Sequence, residues 1–265
     1  MLIERAGYKI HADLVGPPGG VVVCMLHSIA ADMSMWRTQV GALIAQGFQC
    51  LRIDFPGHGG SSIGSKGTSV SEMVQDVLAV LDQLSIKRAH VVGLSMGGIV
   101  AQGLALEHGD RVISLFVSDS IPAAVPTAAP AWQARIEAVS KAGSLAGLAD
   151  VMITKWIGED FRVDDPTGWT MLHSTLAATS PQGFIALAMA IQDFDFTAEL
   201  PALKIPSMVV YGANDEATPP AANQRLASLI PDARIATVAA GRHLPNVDRH
   251  EDFNRLLVDW LTSQR

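Results

Sequence analysis

The chain has 265 residues, 49% of them hydrophobic, and a formal net charge of -7, enough apolar material to bury one large core. The acidic balance, with no local Lys/Arg cluster, leaves no basic field for a nucleic-acid backbone. No apolar run is long enough to cross a bilayer, residues 1–14 lack the basic flank and continuous apolar stretch of an export leader, and the two cysteines, Cys24 and Cys50, have neither disulfide-framework nor metal-ligand spacing, so a cytoplasmic protein without metal or cofactor is expected.

The run VVVCML at 21–26 follows Gly-Pro-Pro-Gly-Gly and is continuously apolar and β-branched, as a strand buried on both faces is. A helix is predicted over about 35–46, with Trp36, Val40, Leu43 and Ile44 on one face. The strand FQCLRIDF (48–55) then runs into PGHGGSS. Met73, Val77, Val80, Leu81 and Leu84 mark a second helix, HVVGL (90–94) a strand, 99–107 a helix, and VISLFVS (112–118) a strand. Alternation of this kind specifies an α/β fold, a mostly parallel sheet with right-handed crossovers flanked by helices.

After residue 120 the alternation stops. Residues 121–195 are rich in Ala, Met and Trp, with helical spacings such as Trp132, Ile136 and Val139, and are read as a helical cap. The cap is inserted into a core domain of residues 1–120 and 196–265. Strands resume at SMVVYG (207–212) and ARIATVA (233–239). Phe253, Leu256, Leu257, Trp260 and Leu261 then give a closing amphipathic helix.

Residues 93–97 read Gly-Leu-Ser-Met-Gly, directly after a strand and directly before a helical run. A serine in such a turn is held in a strained conformation with its hydroxyl above the sheet, and the flanking glycines are needed because side chains there would meet the adjoining strand and helix. Ser95 is therefore the candidate nucleophile. A serine hydroxyl needs a base, and the base needs an acid to fix its tautomer. Among eight histidines, His243 in GRHLPNVD lies in a loop after the last strand, where it would be delivered beside Ser95. His27 and His58 read as residues that brace loops, and His108 and His250 as surface or helix-end residues. For the acid, Asp215 in YGANDEATPP lies just past a strand, between Ser95 and His243 in order. Asp119, in FVSDS, is the competitor, and Glu216 a third choice. The oxyanion of a tetrahedral intermediate would be held by the amide of Met96 and by that of Ile29, in the loop His27-Ser28-Ile29-Ala30.

With those motifs placed, the chain resembles the α/β-hydrolase superfamily over nearly its full length, and within it the 3-oxoadipate enol-lactonases. The stretches DMSMWRTQVGAL, LRIDFPGHGGSS, VVGLSMGGIVAQGLAL, TSPQGFIALAMAIQDFDF, YGANDEATPPAANQRLASLIPDAR and GRHLPNVDRHEDFNRLLVDWL carry the resemblance. It implies a small-molecule ester or lactone as substrate. Two positions depart from the pattern: His-Ser-Ile-Ala stands where an Asn-Ser-Leu-Gly type of loop is usual, and Gln192 stands where an Arg is expected before the Asp of AIQDFDF. Hydrolysis of a carbon–carbon or amide bond by the same residues, or small-molecule binding without turnover, are the other readings. In the cap, Trp132, Trp156 and Trp169 are candidates to line the site, Trp132 first because it lies earliest. Arg135 reads as an exposed helix residue, with a charge for an anionic substrate as its other use.

Overall fold

The structure, a computed structural model, describes residues 1–64 and 68–265. Eight strands, β1 (Leu2–Arg5), β2 (Tyr8–Val15), β3 (Val22–Leu26), β4 (Gln49–Ile53), β5 (Ala89–Leu94), β6 (Val112–Ser118), β7 (Ser207–Gly212) and β8 (Arg234–Val238), make one sheet in the order β1-β2-β4-β3-β5-β6-β7-β8. The pairs β1–β2 and β2–β4 are antiparallel and the rest parallel. Every residue of β3, β5 and β7 is buried, which is why these strands read as unbroken apolar runs rather than as alternation.

Residues 1–14, assigned to no element from the sequence, form most of a hairpin turned at Gly7, whose φ is +93°. Ile3, Ile10 and Ala12 face the core, so the alternation of charged and apolar residues there is that of a half-buried antiparallel pair. The hairpin is tied to helix α2 (Val70–Gln83; α1 is Arg37–Ala45) through a buried carboxylate. Asp76 Oδ1 accepts from Arg5 Nε at 2.7 Å and from Tyr8 OH at 2.6 Å. That explains an Asp on the inner face of an otherwise apolar helix: a buried charge is tolerated when it is paired and hydrogen-bonded.

The helix predicted over 35–46 divides in two. A 3₁₀ turn, Met33–Trp36, is capped by Asp32 and precedes α1. Its inner positions are Trp36, Gln39 and Leu43, whereas Val40 and Ile44 are only half-buried. Helix α3 (Met96–Glu107) starts three residues before the apolar spacing suggested and is buried on every side from Met96 to Ala105. A helix that is apolar all round shows no stripe.

Between β6 and β7 the chain leaves the sheet for five helices: α4 (Ala129–Ala142), α5 (Ala146–Trp156), α6 (Phe161–Asp164), α7 (Pro166–Ala178) and α8 (Pro181–Ala190). A bridge between Ala123 and Asp195 closes the neck of this excursion. Thr179 Oγ1 donates to Ala30 O at 2.9 Å, and Asp160 pairs with Arg249 Nη2 at 2.7 Å, so the helices are fastened to the core at both ends. Helices α9 (Pro220–Leu229), α10 (Pro245–Asp248) and α11 (His250–Ser263) complete the chain. Phe253, Leu257, Trp260 and Leu261 form the inner face of α11. Cys24 and Cys50 lie on the neighbouring strands β3 and β4 as free thiols, pushed by burial to about 12 and about 11. Neither is a nucleophile at neutral pH.

Candidate active site

The turn between β5 and α3 holds Ser95 at φ 54°, ψ -116°, a region that L-residues avoid and that surrounding structure must enforce. Two features enforce it. A Cβ built on Gly93 would lie 2.2 Å from Gly97 O, and one on Gly97 would lie 2.1 Å from Leu26 O. No side chain fits at either position. The residues after β6 then clamp the serine backbone: Ser95 N donates to Ser118 O at 2.9 Å, and Ser120 Oγ donates to Ser95 O at 2.9 Å.

At the same edge of the sheet, His243 Nδ1 donates to Asp215 Oδ2 at 2.9 Å, with both side chains buried. That bond assigns the tautomer, since a carboxylate only accepts, and it leaves Nε2 as the free basic nitrogen. Asp215 also accepts from Ala217 N at 2.7 Å, from Thr218 N at 3.2 Å and from Thr218 Oγ1. Burial opposes its ionisation, but the His243 ring and these hydrogen bonds outweigh burial and hold the carboxyl below the ordinary carboxylate range. Of the two rivals for this place, Glu216 is exposed. Asp119 is buried and turns its Oδ1 to Gly212 N at 2.8 Å and its Oδ2 to Ser118 Oγ at 2.6 Å. One oxygen each of Asp119 and Asp215 and one ring nitrogen of His243 lie within 4.8 Å of one another. Since Ser118 and Ser120 clamp Ser95 and Asp119 stands between them, Ser95 and His243 share one corner. The Ser95 hydroxyl itself has no hydrogen-bond partner among the described residues.

The loop after β3 packs on the nucleophile turn at Leu26 and His27. Two imidazoles fix its shape. His27 Nδ1 donates to Ser28 O at 2.7 Å while Nε2 accepts from Phe55 N at 2.9 Å. His58 Nδ1 donates to Pro56 O and Nε2 accepts from Ala30 N, each at 3.0 Å. Both rings must be neutral to accept these amides. Burial pushes both down, His58 to about 3 with His27 adding to the effect. The arrangement uses Ala30 N and Ala31 N but leaves Ile29 N without an acceptor among the described residues, and Met96 N, opening α3, has no intrahelical acceptor.

The helical excursion meets this corner through Trp156, whose ring centroid is 5.4 Å from that of His243. Leu244 N donates to Trp156 O at 3.0 Å, and Gly158 N to Asp248 Oδ2 at 2.8 Å, so the end of α5 holds the histidine loop. Trp132 packs instead on Phe184, centroids 6.5 Å apart, and carries the half-buried Arg135 guanidinium 4.8 Å above its ring. Trp169 stacks on His173. Gln192, two residues past the end of α8, turns back onto that helix, donating to Ala188 O at 2.7 Å.

Sequence reasoning missed Thr218, Asn223 and the paired serines 118 and 120. Asn223, buried on α9, accepts from Ser120 N at 3.0 Å and donates to Thr218 O at 2.8 Å, joining the two loops that flank Asp215. The Asp-x-x-Thr spacing at 215–218 is a legible signal, because Asp in a turn accepts from amides two and three residues on. Nothing local marks Asn223.

A family model described as the alpha/beta hydrolase fold matches residues 21–249. The chain is 29% identical over 263 residues to 3-oxoadipate enol-lactonase 1 of Acinetobacter baylyi, covering 99% of this chain and 97% of that protein. It is 32% identical over 228 residues to 3-oxoadipate enol-lactonase 2 of the same organism, covering 86% and 84%. A crystal structure of the enol-lactonase from Burkholderia xenovorans LB400 superposes with a TM-score of 0.90 at 30% identity, covering 96% of this chain and 97% of that one.

Proposed function

The chain belongs to the alpha/beta hydrolase fold family and is a hydrolase, and from that premise we propose that it cleaves a small carboxylic ester or lactone through an acyl-enzyme on Ser95. The observation that carries the reading is the buried Asp215–His243 hydrogen bond at the corner where Ser95 is held strained. Ser95 Oγ attacks the carbonyl while His243 Nε2 takes its proton. Asp215 stabilises the imidazolium that results, and the amides of Ile29 and Met96 hold the oxyanion. His243 returns the proton to the leaving alcohol or enol, then activates water against the acyl-enzyme. The enol-lactonases among its relatives favour an enol-lactone-like substrate, and the helical excursion, read as a cap over the site, would set its shape.

The test is labelling by a fluorophosphonate, with turnover of an enol-lactone, a p-nitrophenyl ester, an anilide and a β-diketone measured in parallel. Wild type is expected to label and to favour the first two substrates. Ser95→Ala is expected neither to label nor to turn over, with a loss on the order of 10⁶ in kcat. Undiminished turnover by Ser95→Ala sinks the serine mechanism, whereas a preference for the β-diketone or the anilide keeps it and moves the scissile bond.

A further inference from the structure

Asp119 is buried at the meeting point of β6, β7 and the histidine loop, yet the mechanism above gives it no task. Its backbone, like that of Ser95, has a positive φ, here +47°, uncommon for a non-glycine residue. Its neighbours in sequence do hold the nucleophile, Ser118 through the Ser95 amide and Ser120 through the Ser95 carbonyl. Asp119 N donates to Val210 O at 3.0 Å, and its Oδ1 accepts from Gly212 N. One tripeptide therefore joins the nucleophile turn to the strand that carries the triad acid.

The charge count around this carboxyl is lopsided. Facing it are Ser118 from β6, Gly212 from β7, Asp215 from the turn after β7, and His243 from the loop after β8. Asn223 of α9, which carries no charge, braces the loop from behind. Arg242, the cation next in sequence to His243, is spent on the cap, its Nη1 donating to Thr154 O at 2.6 Å. Two carboxyls thus share one imidazole, and that imidazole gives its Nδ1 proton to Asp215. Like charges in a dry site cannot both ionise without large cost, and the carboxyl with fewer donors keeps the proton. Asp215 has four donors, three of them in its own turn and the fourth His243, whereas Asp119 has the Gly212 amide and the Ser118 hydroxyl.

We propose that Asp119 is a neutral carboxylic acid that donates a hydrogen bond to the Asp215 carboxylate and so positions the acid of the triad. The inference rests on the reading of Ser95, His243 and Asp215 as that triad. Burial first, and the Asp215 charge second, push the Asp119 carboxyl well above the ordinary range, in agreement with the hydrogen-bond count. Asp119 is a positioning residue: it touches the acid and, through its neighbours, the nucleophile backbone, but it exchanges no proton with substrate. A neutral donor leaves Asp215 its full charge for the imidazolium, whereas a second anion would raise the proton affinity of His243 and keep it from serving as base at lower pH.

The experiment compares Asp119→Asn, Asp119→Ala and Asp215→Asn. An amide matches a neutral acid in charge: its oxygen accepts from Gly212 N and its nitrogen donates to Asp215, while the Ser118 hydroxyl, which donates to Asp119 Oδ2 in wild type, turns to accept. Asp119→Asn is therefore expected to keep kcat/KM within about threefold of wild type and to leave the acid limb of its pH profile in place. Asp119→Ala is expected to lose roughly 100-fold in kcat with KM little changed, as a misplaced catalytic group does. The infrared difference between wild type and Asp119→Asn at about pH 8 should show one protonated-carboxyl band lost from wild type. Loss of turnover in Asp119→Asn equal to that in Asp215→Asn, a downward move of the acid limb, or absence of that band overturns the proposal. The infrared comparison of wild type with folded Asp119→Asn decides even if Asp119→Ala folds poorly. Failure of Ser95→Ala to abolish turnover strikes the triad reading instead, so the two failures are told apart.

Discussion

At the scale of single residues, the strain at Ser95 is a stability cost borne for geometry. Its φ of 54° and ψ of -116° lie where a side chain is penalised by about 1–3 kcal/mol and glycine is not. Ser95→Gly, measured by urea unfolding, is therefore expected to be more stable than wild type by about 1 kcal/mol while lacking the nucleophile. Two residues on, the same turn demands the opposite. A Cβ on Gly97 would stand 2.1 Å from Leu26 O and 2.8 Å from His27 O, both backbone atoms, so Gly97→Ala is expected to lose about 3 kcal/mol. A urea midpoint that falls in Ser95→Gly, or is unmoved in Gly97→Ala, refutes the account of the turn. Motif and order nominate Ser95, His243 and Asp215, the residues of the proposed triad, and the Asp215–His243 hydrogen bond joins two of them. The fourth member of the cluster was legible only as a rival: a buried Asp after β6 looks the same in sequence whether it holds the histidine or backs the acid, and hydrogen-bond partners separate the two.

Among the elements, those buried on both faces announced themselves, and those with mixed surroundings did not. The strands β3, β5 and β7 are wholly buried, so their apolar runs admit one reading. The hairpin β1–β2 buries only alternate residues and interrupts them with Arg5, Tyr8 and Lys9, and Arg5 and Tyr8 are committed to Asp76, 71 and 68 residues away. A long-range polar bond of that kind has no local signature. The loop after β3 has a further property that sequence hid. The two histidines that fix it, His27 within it and His58 from the loop after β4, are neutral acceptors of backbone amides, and a histidine whose folded value is lowered disfavours folding as pH falls, because the unfolded chain takes the proton first. For His58 the window runs from the ordinary histidine value down to about 3, with the stability fully present above that window. Wild-type stability is expected to decline through it. His58→Gln, which takes up no proton, should show a slope shallower by up to about 1.4 kcal/mol per pH unit between roughly pH 6 and pH 4. Equal slopes, followed by urea unfolding across that range, reject the neutral assignment.

Across the whole molecule, rigidity is distributed unevenly over the helical excursion, in a way that bears on how substrate enters. The end of α5 is stitched to the histidine loop through Leu244 N, Gly158 N and the Asp160–Arg249 pair, and Thr179, just past α7, is hydrogen-bonded to the loop after β3. Helix α8 buries Gly183, Phe184, Leu187, Ala188 and Ala190. Helix α4 buries Val139 alone, leaving Trp132 and Ile136 half-covered. Local opening free energy follows buried apolar contact, so native-state hydrogen exchange is expected to run at least about tenfold faster in α4 than in α8, while α3 and the central strands protect most strongly. The helix expected to open most readily carries Trp132 and Arg135, whereas α5, which grips the histidine loop, buries Ala149, Met152, Ile153 and Trp156. If the excursion is the cap we propose, substrate enters by movement of this one helix without disturbing Asp215 or His243, as lids on rigid scaffolds do. Protection in α4 equal to that in α8 would contradict this, and a cap would then have to move as a unit, breaking the bonds of Leu244 and Gly158 that hold the His243 loop in place.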